Sequence, residues 1–205
     1  MYFLLLVSVL VFSPVVVCVD IIGPTHRAIW GTWGSMQYCP KGSYAAGYVM
    51  KIEPKQGDRD DTSLNGIMLV CSSLEGGLFG GTITSTVGRF GDWGEVIICP
   101  KYMFLKEFAL QVEEYRHNGD DTAANYIKFR CGRMDSGDSG SCNYEIALTP
   151  GYGFWGVISG WSRACPPNSA ICGIQTKVED YQRNGDDTSL NDVKFMCCNG
   201  DSWKK

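Results

Sequence analysis

Histidine occurs only twice in the 205 residues, at His26 and His117, and no two cysteines stand as a C-x2-C pair. Structural zinc draws four nitrogen or sulfur ligands from such spacings, so neither zinc nor any other cofactor is expected. Lys and Arg number 18 against 22 Asp and Glu, and the net charge of −4 comes with no basic stripe that could follow a phosphate backbone. Nucleic acid is therefore not an expected partner. The chain after residue 18 lacks an Asn-x-Ser/Thr triplet, which argues against N-linked glycans of its own. It also lacks any later run close to the roughly 20 apolar residues that cross a bilayer. Met1 to Val17 carry no charged side chain. Interrupted by Ser8, Ser13 and Pro14 and ending in the small residues Val16-Val17-Cys18, this stretch reads as a cleaved signal peptide over 1–18 rather than an anchor. The expected product is a secreted, extracellular protein with no membrane span, folding as one domain over 19–205.

What the chain does contain, it contains three times. Asn118-Gly119-Asp120-Asp121-Thr122 and Asn184-Gly185-Asp186-Asp187-Thr188 have a shorter counterpart in Asp60-Asp61-Thr62. Each leads through Asn65, Asn125 or Asn191 into an apolar/polar alternation that ends at Cys71, Cys131 or Cys197. Cys39, Cys99 and Cys165 lie 32 positions before those cysteines, each followed by proline. Such a period, about sixty residues, marks an internal repeat. The copies run over about 30–71, 90–131 and 155–198, and 132–153 reads as a polar insertion between the last two.

Within a copy the periodicity is two and never 3.6. Tyr48/Met50/Ile52, Phe108/Leu110/Val112 and Ile174/Thr176/Val178 share one face before the acidic turn. Ile67/Leu69/Cys71 and their counterparts share it afterwards. These are half-buried antiparallel strands. Each asparagine falls in phase with the buried face, where its amide is expected to tie down a loop. Trp30-Gly31-Thr32-Trp33-Gly34, Phe90-Gly91-Asp92-Trp93-Gly94 and Trp155 to Trp161 precede the first cysteine of each copy. Glycine beside tryptophan suits close backbone approach with a large ring filling space, so most of these rings are expected in the core. Sugar rings stack on exposed tryptophans, which makes Trp33, Trp93 and Trp161 the carbohydrate-binding candidates. Three sheets with one apolar face each must pack on one another, which gives an all-β threefold core and leaves prism, propeller and trefoil open.

Nine cysteines after residue 18 suit a disulfide framework in an oxidising compartment. The spacing pairs Cys39 with Cys71 and Cys99 with Cys131, and leaves Cys165, Cys172, Cys197 and Cys198 to form two bridges. Cys142, in the insertion, has no partner; it is expected to be free, or to link a disulfide-bonded dimer.

Few motifs suggest chemistry. Gly137-Asp138-Ser139-Gly140 spells a protease nucleophile turn, but neither histidine has the context of a base held by a buried acid. The paired aspartates lack the alternating ligands and the twelfth-position glutamate of an EF-hand, so no metal site is assigned. A glycosidase needs two carboxyl groups about 5–9.5 Å apart. Glu53, Glu113 and Glu179 are the candidates, but their recurrence in every copy points to scaffold duty, and no catalytic residue is assigned.

Gly-Asp-Asp-Thr-Ser-Leu-Asn running into Cys197-Cys198, with Ala170-Ile171-Cys172-Gly173-Ile174-Gln175-Thr176-Lys177 upstream, resembles the vitelline membrane outer layer protein family. The likeness spans about Trp30 to Cys198. It implies a β-prism of three antiparallel Greek-key sheets about a pseudo-threefold axis, and a secreted structural component of an egg coat or similar extracellular layer, associated with glycans or glycoproteins. The alternative it implies is an enzyme that transfers N-acetylglucosamine oligosaccharides.

Overall fold

The computed structural model describes residues 20–24, 30–55, 62–75, 78–113, 124–136, 144–147, 155–182 and 188–200, with the backbone alone at 78–79. The leader, both histidines, the paired aspartates, Gly137 to Gly140 and Cys142 lie outside the described residues.

Three antiparallel hairpins form the frame, each built from one copy. Strand β4 (Ser43–Ile52) pairs with β5 (Leu64–Ser73), β9 (Phe104–Val112) with β10 (Ala124–Gly132), and β13 (Ser169–Val178) with β14 (Leu190–Asn199). On one side each hairpin gains an edge strand: β6 (Leu78–Thr84), β11 (Tyr144–Ile146) or β1 (Asp20–Ile22). On the other it gains the Gly/Trp segments, β7 (Asp92–Trp93) with β8 (Ile97–Ile98), β12 (Val157–Ile158), or β2 (Thr32–Trp33) with β3 (Gln37–Tyr38). Sheet I therefore has the order β7-β4-β5-β6, sheet II β12-β9-β10-β11 and sheet III β2-β13-β14-β1. In sheet I the fourth strand returns to lie beside the first, the Greek-key arrangement.

The sequence repeat and the sheet are thus out of phase. Each copy begins on the sheet of the copy before it, and copy one begins on that of copy three: Trp33 pairs with Lys177, Trp93 with Lys51 and Ile158 with Gln111. Strand β1, from the N-terminal side, completes the sheet of copy three by pairing Ile22 with Phe195. Part of the expected insertion is likewise a strand, since β11 holds Ile146 opposite Phe129, as β6 holds Ile83 opposite Leu69. Gly31, Gly91 and Gly156 make the crossing possible. Their φ values are +80°, +74° and +80°, and a Cβ there would overlap the backbone of Val178, Ile52 and Val112.

Between the sheets lies one apolar core, in which Tyr48, Leu69, Phe108, Phe129 and Phe195 are fully enclosed. Phe129 and Phe195 have ring centroids 5.3 Å apart, and Tyr48 is 4.7 Å from Phe129. Such edge-on and tilted contacts add to what area burial alone contributes.

Disulfides close the corners between sheets. The Cys39 amide donates to the Cys172 carbonyl of sheet III, and its sulfur joins Cys71 on sheet I. Cys99 bonds the Ala46 carbonyl of sheet I and joins Cys131 on sheet II; Cys165 bonds the Lys106 carbonyl of sheet II and joins Cys197 on sheet III. Cys172–Cys198, the fourth, lies within sheet III.

Bulges recur at both ends of the hairpins. At one end the ladder steps past Ala46, Lys106 and Cys172. Lys106 is fully buried there and its Nζ donates to the carbonyls of Ser169 (2.5 Å), Met134 and Pro166, tying sheet II to the turn that enters β13. At the other end the extra residues are Asn65, Asn125 and Asn191.

Candidate functional site

The repeated glutamates belong to that second set of bulges. Glu53 Oε2 accepts from the Thr62 hydroxyl (2.6 Å) and amide (3.2 Å), and the Thr62 hydroxyl accepts from Asn65 Nδ2 at 2.6 Å. Copy three repeats the chain: Thr188 Oγ1 donates to Glu179 Oε2 at 2.5 Å and Asn191 Nδ2 donates to Thr188 Oγ1 at 2.7 Å. Glu113, the equivalent in copy two, is buried, and the threonine it would face lies outside the described residues. Asn65 also bridges copies, its Oδ1 accepting from the Ser189 hydroxyl (2.7 Å) and the Phe90 amide (3.3 Å). These carboxylates hold turns. Accordingly, Glu53→Ala is expected to lower the unfolding free energy by about 1–3 kcal/mol, because it strands the Thr62 donors. Retention on glycan should be unchanged. Denaturant titration beside a chitin-binding assay checks both halves.

None of the described tryptophans is in the core, contrary to the expectation from the Gly/Trp pattern. The edge position of β2 and β7 turns the ring onto the outer face, while glycine serves the close approach of backbone to backbone. On sheet III, Lys194 Nζ lies 3.9 Å from the Trp33 ring centroid. On sheet I, Trp93 is 37% exposed and its ring spans Gly66, where an added Cβ would come within 3.2 Å of it. In sheet II the ladder position of Trp33 and Trp93 belongs to Ile158, and Trp161 stands three residues further on. Trp161 is half-buried, with Arg130 Cζ 4.0 Å and Lys128 Nζ 5.0 Å from its centroid. Each sheet therefore carries one of Trp33, Trp93 and Trp161 on its outside, beside basic side chains on sheets II and III, while Trp30 (44% exposed) and Trp155 (under Lys55 Nζ at 5.4 Å) lie just ahead of β2 and β12. Such rings can offer a flat apolar face with hydrogen-bond donors at its edge.

Glu107 is the residue that pattern reading misses. It is fully buried on sheet II, directly opposite Arg130 in the ladder, with Oε1 3.3 Å from Arg130 Nη1. Its Oε2 meets no donor among the described residues. Burial pushes this carboxyl above the ordinary glutamate value, and the Arg130 hydrogen bond and charge only partly offset that. The signal lay in the sequence: its equivalents are Gly47 and Gly173, each in register with an apolar residue, Val70 or Met196.

A carboxyl whose folded pKa is raised binds its proton more tightly in the native state. Its contribution to stability is therefore lost as pH rises through the folded value and regained on acidification toward 4.5. The melting temperature of Glu107→Gln minus that of wild type should accordingly be most positive at neutral pH and fall as the medium is acidified across that window. A difference independent of pH, by calorimetry, would contradict the assignment.

The closed three-sheet architecture is that of a β-prism. The agglutinin of Calystegia sepium superposes with a TM-score of 0.52 at 13% identity, over 87% of this chain and 95% of that one. The Calsepa lectin, solved in complex with a biantennary N-glycan, gives 0.51 at 13% identity, over 88% and 96%. At that identity the likeness concerns the fold.

Descent is settled by sequence. Residues 21–200 match the vitelline membrane outer layer protein I family, and the chain belongs to it. The vitelline membrane outer layer protein 1 homolog of Homo sapiens is 39% identical over 181 residues, covering 87% of this chain and 82% of that protein. Its Mus musculus counterpart is 37% identical over 180 residues, covering 87% and 83%.

Proposed function

We propose that the protein is a secreted structural component of an extracellular coat of the outer vitelline layer type, and that it associates with glycans or glycoproteins through the outer faces of its prism. The observation that carries this is the tryptophan set: one ring over the outer face of each sheet, two of them flanked by cationic side chains, which together offer an apolar platform with hydrogen-bond donors at its edge. Three corner disulfides support service outside the cell, where such bonds persist. The repeated glutamates, held by threonine and asparagine, favour binding over catalysis. Cys142 is a candidate for covalent linkage to a second chain, and a dimer on non-reducing electrophoresis that disappears in Cys142→Ser would establish it.

Retention on immobilised chitin tests the association. Wild-type protein should be retained, and a variant with Trp33, Trp93 and Trp161 replaced by alanine should elute unretarded at an unchanged far-ultraviolet spectrum. Equal retention of the triple variant would refute the role given to these rings.

A further inference from the structure

Departures from the threefold pattern coincide on the outer face of sheet II. The edge segment from Ser159 to Cys165 is one residue longer than Gly34 to Cys39 and Gly94 to Cys99, although all three begin and end on equivalent backbone hydrogen bonds. Beside it Glu107 replaces Gly47 and Gly173. In the sister sheets the shorter segment presses on the strand: a Cβ at Gly47 would come within 2.5 Å of the Ile97 carbonyl oxygen, and one at Gly173 within 3.0 Å of that of Gln37. The longer segment makes room for a side chain. Arg130, opposite Glu107, takes the place of Val70 and Met196, and Trp161 rises from the longer segment to lie 4.0 Å from its guanidinium.

Two sister sheets with glycine and an aliphatic residue show that the fold does not need this pair. Its burial is costly, since Glu107 is enclosed, accepts a single bond at 3.3 Å, and leaves Oε2 without a donor. Around it, Lys128 Nζ bonds Glu145 Oε1 at 2.7 Å. Two cations and two carboxylates cancel, so the patch offers directed donors and acceptors beside an aromatic ring but no net charge. That chemistry matches an uncharged pyranose, with one apolar face and hydroxyls at its edge.

We propose that the outer face of sheet II is a binding subsite for an uncharged pyranose, which stacks on Trp161 and exchanges hydroxyl hydrogen bonds with the partly exposed Arg130 guanidinium, while the enclosed Glu107 carboxylate holds that guanidinium from beneath. Glu107 thereby acts as a positioning residue, holding Arg130 against the ring. The subsite rests on the glycan-association reading above and gives it a location and a ligand class. Since Trp161 shares its ring with Arg130, binding shifts the indole and changes its emission.

Titration with tri-N-acetylchitotriose, followed by tryptophan fluorescence and calorimetry, tests it, with a sulfated chitotriose as the charged comparison. Wild type should bind the neutral probe better than the sulfated one. E107G/R130V, which restores the residue types of sheet I, should weaken binding by about tenfold or more, the loss of one charge-assisted contact. Y38F, at an exposed tyrosine of sheet III outside the tryptophan set, should stay within about threefold of wild type by the same scale. Should the double variant fold poorly, the near-isosteric E107Q carries the test through its pH profile. The ionisable groups around Glu107 and its partner are Arg130 and Lys128 on β10, Glu145 on β11 and, on the covering segment, Arg163, which is paired with Asp20; acidification should weaken wild type, by protonating Glu107, and leave E107Q flat. Unchanged affinity in both variants overturns the subsite while glycan association stands. Absence of binding by wild type to chitotriose, to immobilised chitin and to a glycan array overturns both.

Discussion

Replacing Cys39 and Cys71 together by serine is expected to lower the unfolding free energy by about 3–4 kcal/mol, and with it the denaturant midpoint. The bridge closes a 32-residue loop, and removing it returns that loop's conformational freedom to the unfolded chain. What makes the loss serious here is where the ends lie. Cys39 is hydrogen-bonded along β13 and Cys71 is in β5, with Cα atoms 5.7 Å apart, so the bond holds the corner between sheets III and I. A small domain has about 5–15 kcal/mol of net stability, so one corner is a large fraction of it. Guanidinium titration under non-reducing conditions measures the effect, and a loss below about 1 kcal/mol would show that the corner is held by packing instead.

Phe129→Ala is expected to cost a similar amount, about 3–5 kcal/mol. The side chain is fully buried and meets Tyr48, Phe108 and Phe195, with ring centroids 4.7, 6.3 and 5.3 Å away. These partners come from all three sheets, so no single hairpin can collapse into the cavity left behind. Phe129→Leu should be far milder, because the equivalent position of sheet I is Leu69 and the core already accepts leucine at that level. Equal destabilisation by the two variants, in the same titration, would mean that ring contacts rather than volume dominate.

The strands were legible because a half-buried strand imprints a period of two on its own residues, and Tyr48/Met50/Ile52 or Ile127/Phe129/Cys131 carry it without reference to anything distant. The asparagines were legible for the same reason; all three are bulge residues, the amides of Asn65 and Asn191 hold their turns, and Asn125 accepts from the Trp155 amide. Sheet membership was not legible. Whether Thr32-Trp33 joins its own copy or the previous one depends on how the three hairpins close around the axis, and β1 on β14 is a contact between the two ends of the sequence. A large ring beside glycine suggests a space to fill, but the glycine answers to a backbone crossing instead, and the tryptophan ring is left outside. Glu107 is invisible to the threefold pattern. Its information is in what fails to repeat, a charged residue where two equivalents are glycine.

The measurement that bears most directly on a binding role is the length distribution of N-acetylglucosamine oligosaccharides incubated with pure protein, read by mass spectrometry alongside retention on chitin. Retention with an unchanged distribution is the expected result. Chain lengths that redistribute with wild type and stay fixed with Glu107→Gln would contradict it, and would make the outer face of sheet II an active site.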